Sequence, residues 1–271
     1  MKIIDERIQS LDLSLFSGIE SATSGDDRRS LLLVQESVRS HQPYVYLEIG
    51  SHMGGTIQPH FADRKCRHIY SIDKRPTFQP DERGRLFFYN HNSTQKMLSN
   101  LVRSFPDVTL EKITTFDNDA SELEMAAIAW PPQLCFIDGE HTNRAVVADF
   151  EFCFRVCDPD AVIALHDSCY IFEGINKIKD DLTRKAIRFQ GLKLGGSIYV
   201  ILLNQAIERH SDRLAVLEMD ESDYFERSSV ELYKTRGTAR WHTWLSGFPR
   251  VYTALRAVKH AFVPDVKGRL R

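Results

Sequence analysis

The sequence predicts an α/β protein built on a doubly wound, mostly parallel sheet, and three observations carry that reading. Short apolar runs alternate with segments of helical periodicity, the pattern of successive βα units. The runs open repeatedly onto an acid, and Glu48, Asp73, Asp119, Asp138 and Asp167 mark five such ends. The last two runs, 189–194 and 197–203, are joined by Gly195-Gly196 and are expected to fold back as an antiparallel hairpin. Ligands bind such sheets at the carboxyl ends of the strands, so the five acids should share one edge and one site.

Residues 5–20 and 27–40 predict two helices ahead of the sheet. In the second, Leu31, Leu32, Val34 and Val38 form an apolar face, with Asp26 or Asp27 as N-cap. Pro43 stops it, and the run 44–49 predicts the first strand. The stretch E-I-G-S-H-M-G-G-T then turns on glycines, which let the backbone approach a ligand closely. A segment that can be helical and a second apolar run, 68–72, lead to Asp73. Strand, glycine turn, helix, strand and acid make the first half of a nucleotide-binding βαβ unit. Asp73 follows Glu48 by 25 residues, where such a unit offers a carboxylate to a ribose diol. The G-x-G-x-x-G fingerprint is missing, which disfavours an NAD-dependent oxidoreductase.

Further along, Ser93 caps a helix over 95–105, and 108–116 predicts a strand that runs into Asp119-Ala120. Pro131-Pro132 breaks the chain before a buried-type strand at 134–138. A helix over 143–156, a strand over 161–165 and a helix over 174–186 lead to the closing hairpin. The chain therefore divides into a helical cap (1–40), a sheet domain (41–204) and a C-terminal extension (205–271).

Composition narrows the classes. At 271 residues, with 42% hydrophobic and 27% charged residues, the chain suits one large globular domain with appendages. A net charge of −2 argues against a general nucleic-acid binder. The start, MKIIDERIQSLDLS, carries charges where a signal peptide needs an apolar core, and no run approaches the ~20 residues of a membrane span. Five cysteines without a C-x-x-C pair read as reduced thiols, so a cytoplasmic location is expected. From Lys234 onward there are nine Lys or Arg against one acid, Asp265, interleaved with Trp241, Trp244, Phe248, Tyr252, Leu255, Val258 and Phe262. That stripe is expected to pack on the domain or to join a homo-oligomer; contact with an anionic membrane surface is the weaker expectation.

The order E-x-G-x-x-x-G at Glu48, Gly50 and Gly54 resembles motif I of the class I S-adenosylmethionine-dependent methyltransferases. The resemblance extends over roughly 27–204 and implies a Rossmann-like, seven-stranded sheet with an antiparallel last strand. It implies a site in which Glu48, Gly50, Ser51, Gly54, Asp73, Asp119, Ala120 and Asp138 hold S-adenosylmethionine. The pattern F-I-D-G-E-H…H-D-S, at 136–141 and 166–168, resembles the metal-assisted O-methyltransferases. The macrocin-like, methyltransferase 24 branch lies nearer, and catechol O-methyltransferase is more distant. That likeness implies Mg²⁺ or Mn²⁺ on Asp138, Asp167 and His166, with His141 as the base that deprotonates a small-molecule or saccharide hydroxyl. Two departures stand out: Ser168 replaces the asparagine of the catechol type, and His166 stands where metal-binding relatives can carry a carboxylate. The rival from another class is a catalytically silent S-adenosylmethionine-binding scaffold.

Overall fold

The computed structural model describes residues 4–89 and 92–246, with side chains through Arg236. The chain begins with α1 (Ile4–Gln9), and a single helix over 5–20 does not form. Leu11 takes a positive φ of 50°, and Asp12 then caps a 3-10 turn over Leu13–Phe16. Helix α2 (Gly25–His41) starts two residues earlier than expected, because Ser24 is its N-cap. Ser24 accepts from the Asp27 N–H while Asp27 accepts from the Ser24 N–H, so Asp27 is the third helical residue of a capping box rather than the cap.

The sheet follows in βα units. Strand β1 (Tyr44–Ile49) leads through short helix α3 (Gln58–Ala62) to β2 (Cys66–Ile72). Between β2 and helix α4 (Thr94–Ser104) the chain makes an excursion absent from the sequence reading, the hairpin β3 (Phe78–Pro80) and β4 (Leu86–Phe88). Strand β5 is confined to Ile113–Phe116, shorter than the 108–116 run. Then come β6 (Leu134–Ile137), α5 (Asn143–Val156), β7 (Val162–Leu165), α6 (Phe172–Arg184), β8 (Phe189–Lys193) and β9 (Tyr199–Leu203). Helices α7 (Ala206–Leu214) and α8 (Glu221–Ser246) close the described chain. The aromatic stripe beyond Arg236 lies outside the described side chains.

Seven strands form one sheet in the order β5-β2-β1-β6-β7-β9-β8, parallel except for β9. The chain winds outward from β1 to β2 and β5, then returns past β1 to β6 and β7. The switch point therefore falls between β1 and β6, where an open α/β sheet leaves a crevice at its carboxyl edge. Strand parity divides the core. Val45, Leu47 and Ile49 face the layer of α5, α6 and α8, while Tyr44 and Tyr46 face the layer of α2, α3 and α4. Central strands buried on both faces explain why the apolar runs are continuous rather than alternating. No helix among the described residues is long and apolar enough to cross a membrane.

Candidate active site

A cavity of about 640 Å³ opens over the carboxyl ends of β1, β2, β6 and β7, within the size range of small-molecule sites. Gly50, Ser51, Asp73, Asp119, Ala120, Asp138, His141, His166 and Asp167 all line it. Two expected cofactor residues do not. Glu48 shares the parity of Tyr44 and Tyr46, so its side chain points into the core, fully buried. There Tyr46 OH and Thr56 Oγ1 donate to it, the latter across 2.6 Å. Burial pushes its carboxyl up to about 7 despite those donors, and its task is to tie the glycine turn to the strand. Gly54 also sits behind the turn, where φ is +86° and an added Cβ would stand 3.1 Å from Met97 Cγ.

One end of the cavity suits a nucleoside. Asp73 is held rigidly, its two oxygens accepting from the His52 and Arg75 N–H groups at 2.8 Å each. A carboxylate has about four lone-pair sites, so capacity remains for two hydroxyls. Asp119 caps the 3-10 turn Ala120–Glu122 by accepting from Ser121 N–H, and Lys74 bridges Asp119 (3.5 Å) and Glu140 (3.1 Å). Ala120, Ala145 and Ala148 leave space beside that turn for a flat ring. Asp149 on α5 also lines this end, and burial pushes its carboxyl up to about 7.

The other end is an alternating chain of carboxylates and imidazoles. His141 Nδ1 lies 2.9 Å from Asp167 Oδ2, and its Nε2 lies 3.4 Å from Asp138 Oδ1. His166 Nδ1 lies 2.7 Å from the same Asp138 oxygen, and its Nε2 lies 3.4 Å from Asp27 Oδ2. Burial alone would lower the His141 pKa, but the two facing carboxylates outweigh it and hold the ring at about 9. His166 goes the same way: burial is overcome by Asp138, Asp27 and Asp167. Burial would raise Asp138, yet the two histidines bring it down to about 2. Above this end stands the β3–β4 hairpin, whose Arg83 lies over the Phe87 and Tyr170 rings, 4.8 and 4.2 Å from their centroids. Asp167 reaches the cluster from a left-handed backbone, φ +53°.

The residues at this end do not fit the expected Mg²⁺ or Mn²⁺ on Asp138, Asp167 and His166. Among the described residues, the donors that converge are Asp138, His141 and His166, and Asp167 falls outside that trio. One oxygen and two nitrogens are a poor set for a hard cation, which takes oxygen ligands. Where two carboxylates would repel, the His141 ring already stands between them. Ser168 is no substitute ligand, since it is fully buried and does not line the cavity.

Residues 47–168 match the family described as a methyltransferase domain. No curated protein matches the chain. Solved structures similar to it include the O-methyltransferase TomG of Streptomyces achromogenes, involved in tomaymycin synthesis and determined with S-adenosylmethionine. It is 12% identical over 73% of this chain and 89% of that one, with a TM-score of 0.47. The calicheamicin methyltransferase CalS11 is 14% identical over 73% and 91%, with a TM-score of 0.49. The mycinamycin-pathway methyltransferase MycE, solved with Mg and S-adenosylhomocysteine, is 13% identical over 72% and 53%, with a TM-score of 0.47. The matched span runs from inside β1 to the residue after Asp167 and so contains all four strand ends that build the cavity, and over that span the chain is similar to the methyltransferase-domain family.

Proposed function

We propose that the protein is an O-methyltransferase that uses S-adenosylmethionine to methylate a hydroxyl of a small molecule or saccharide. The observation that supports this best is His141, a cavity-lining imidazole held by carboxylates on both nitrogens at the end opposite Asp73. S-Adenosylmethionine supplies an electrophilic methyl group on a sulfonium. Asp73 receives the ribose hydroxyls, and the Asp119-Ala120 turn, with Ala145 and Ala148, borders the base. Tyr89, Phe87 and Tyr170 offer aromatic faces on which a sugar or phenol ring can lie. Alignment of acceptor oxygen and methyl carbon does most of the work in an in-line displacement. As the O–CH₃ bond forms and the S–CH₃ bond breaks, the hydroxyl proton passes to His141. With its pKa near 9, His141 is mostly charged at neutral pH, so turnover rises into the alkaline range.

The test is a panel of phenolic and sugar acceptors incubated with S-adenosylmethionine, scored by S-adenosylhomocysteine release. His141→Ala should lower turnover by ~10²–10⁴, the range of a lost general base, with donor affinity unchanged. Donor binding without release for any acceptor would favour the silent scaffold instead.

A further inference from the structure

Asp149 is out of place on α5. The buried residues of that helix are Val146, Asp149, Phe150, Phe152, Cys153 and Val156, an apolar set into which one carboxyl intrudes. Asp149 is 7% exposed, and it lines the cavity together with Ala145 and Ala148. Residues three and four apart share one face of a helix, so the two alanines leave a slot and Asp149 stands at its more buried end.

A buried carboxyl ordinarily has a donor or a cation for company. Among the described residues, no hydrogen bond or ion pair reaches the oxygens of this one. Lys74 bears on it from a distance, but its Nζ is held by Glu140 at 3.1 Å and Asp119 at 3.5 Å. Asp119 and Glu140 bring only like charge. Gly139 makes room for the group. A Cβ there would stand 3.1 Å from Asp149 Oδ2 and 3.3 Å from Ile49 Cγ2, so a side chain at 139 would press on the carboxyl. The acid is thus buried, unpartnered and kept clear on the side of the cavity that suits a nucleoside.

We propose that Asp149 reads the base of the methyl donor: its carbonyl oxygen accepts a hydrogen bond from the 6-amino group of adenine. This rests on the S-adenosylmethionine reading and adds to it the residue that selects the base. In adenosine the 6-amino group carries the only N–H bonds of the base, so nothing else on the ring can satisfy an acceptor in the slot. The carboxyl accepts through an oxygen whether or not it carries a proton, so the contact does not depend on its ionisation. Asp119, the other acid bordering the slot, is already engaged. Its Oδ1 accepts from Ser121 N–H at 3.0 Å and Ser121 Oγ at 2.7 Å, and its Oδ2 faces Lys74.

The experiment is calorimetry on the full chain with two ligands. One is S-adenosylhomocysteine, and the other is its analogue with purine in place of adenine, which lacks only the amino group. Wild type should prefer S-adenosylhomocysteine by about tenfold or more, because the analogue leaves a buried acceptor unpaired. Asp149→Asn keeps a carbonyl oxygen in the same place and should keep most of that preference. Asp149→Leu removes the acceptor at similar volume and should bind the two ligands within about twofold of each other. A merely structural acid would shift the melting temperature and leave the ratio of affinities alone. A preference as large in Asp149→Leu as in wild type would therefore overturn the proposal. Should Asp149→Leu fail to fold, Asp149→Ala takes its place and is read in the same way. Wild type that binds both ligands equally sinks this proposal and spares the donor reading, whereas folded wild type that binds neither sinks the donor reading itself.

Discussion

His141 Nδ1 donates to Asp167 Oδ2 across 2.9 Å, and this pair does more than orient a ring. With Asp138 on the other nitrogen, it holds the imidazole charged well above neutrality. Asp167→Asn removes one of the two charges while keeping the shape, and asparagine tolerates the φ of +53° found there. The midpoint of the alkaline rise in turnover should fall from about 9 by one unit or more. Rates measured from pH 6 to 10.5 at saturating donor check it. An unmoved midpoint would remove Asp167 from the base.

The same pair makes stability depend on pH. His141 has a folded pKa raised from 6.5 to about 9, so its contribution is fully present below pH 6.5 and is lost as pH climbs through 9. At 1.36 kcal/mol per unit the loss is roughly 3 kcal/mol at most. Denaturant unfolding of wild type and H141Q at pH 6 and pH 9.5 isolates the term. The gap between the two proteins should be wide at pH 6 and narrow at pH 9.5.

Asp73 anchors the other end of the cavity. Asp73→Ala should weaken S-adenosylmethionine binding by roughly 1–3 kcal/mol, the cost of leaving polar partners without their acceptor. Calorimetry reads this directly. Equal affinity in the mutant and wild type would take the ribose away from Asp73.

The acceptor end carries its own balance of charge, so turnover should be indifferent to chelators. Dialysis against EDTA, followed by assay with and without Mg²⁺ or Mn²⁺, should give equal rates. A rate lost on dialysis and restored by either ion would show that the ion displaces the protons on His141 and His166.

Much of this architecture was legible in the order of residues, for identifiable reasons. The central strands are buried on both faces, so their apolar runs are unbroken, and β6 and β7 run out into Asp138 and Asp167, acids that line the cavity. What stayed hidden depends on direction and distance. Glu48 reads as a ligand for the cofactor because it precedes the glycine turn, but strand parity turns it into the core beside Tyr46. Asp27 reads as a helix cap, and no local pattern announces a partner such as His166 on another element. The β3–β4 hairpin, three residues a side, is too short to show a period, although it supplies Arg83 and Phe87 to the cavity.

Gly50 gives the sharpest test of how the strand ends are joined. Its N–H donates to Ile72 O on β2 at 2.8 Å, while the Asp138 N–H donates to Ile49 O at 2.8 Å. The turn is thereby locked between β2 and β6, and φ at Gly50 is +89°. A Cβ there would stand 2.0 Å from the Asp138 carbonyl oxygen and 2.6 Å from Gly139 N, backbone atoms that cannot retreat without breaking the register of β1 and β6. Gly84, in the hairpin turn, has φ +73° but nothing within 4 Å of an added Cβ. Gly84→Ala should therefore cost only the ~1–2 kcal/mol of a left-handed alanine. Gly50→Ala adds the ~1–3 kcal/mol of an overpacked core to that same term. At about 2–4 °C per kcal/mol the difference corresponds to a melting temperature lower by roughly 2–12 °C in Gly50→Ala than in Gly84→Ala. Equal melting of the two variants would mean that Asp138 does not lie against the glycine turn.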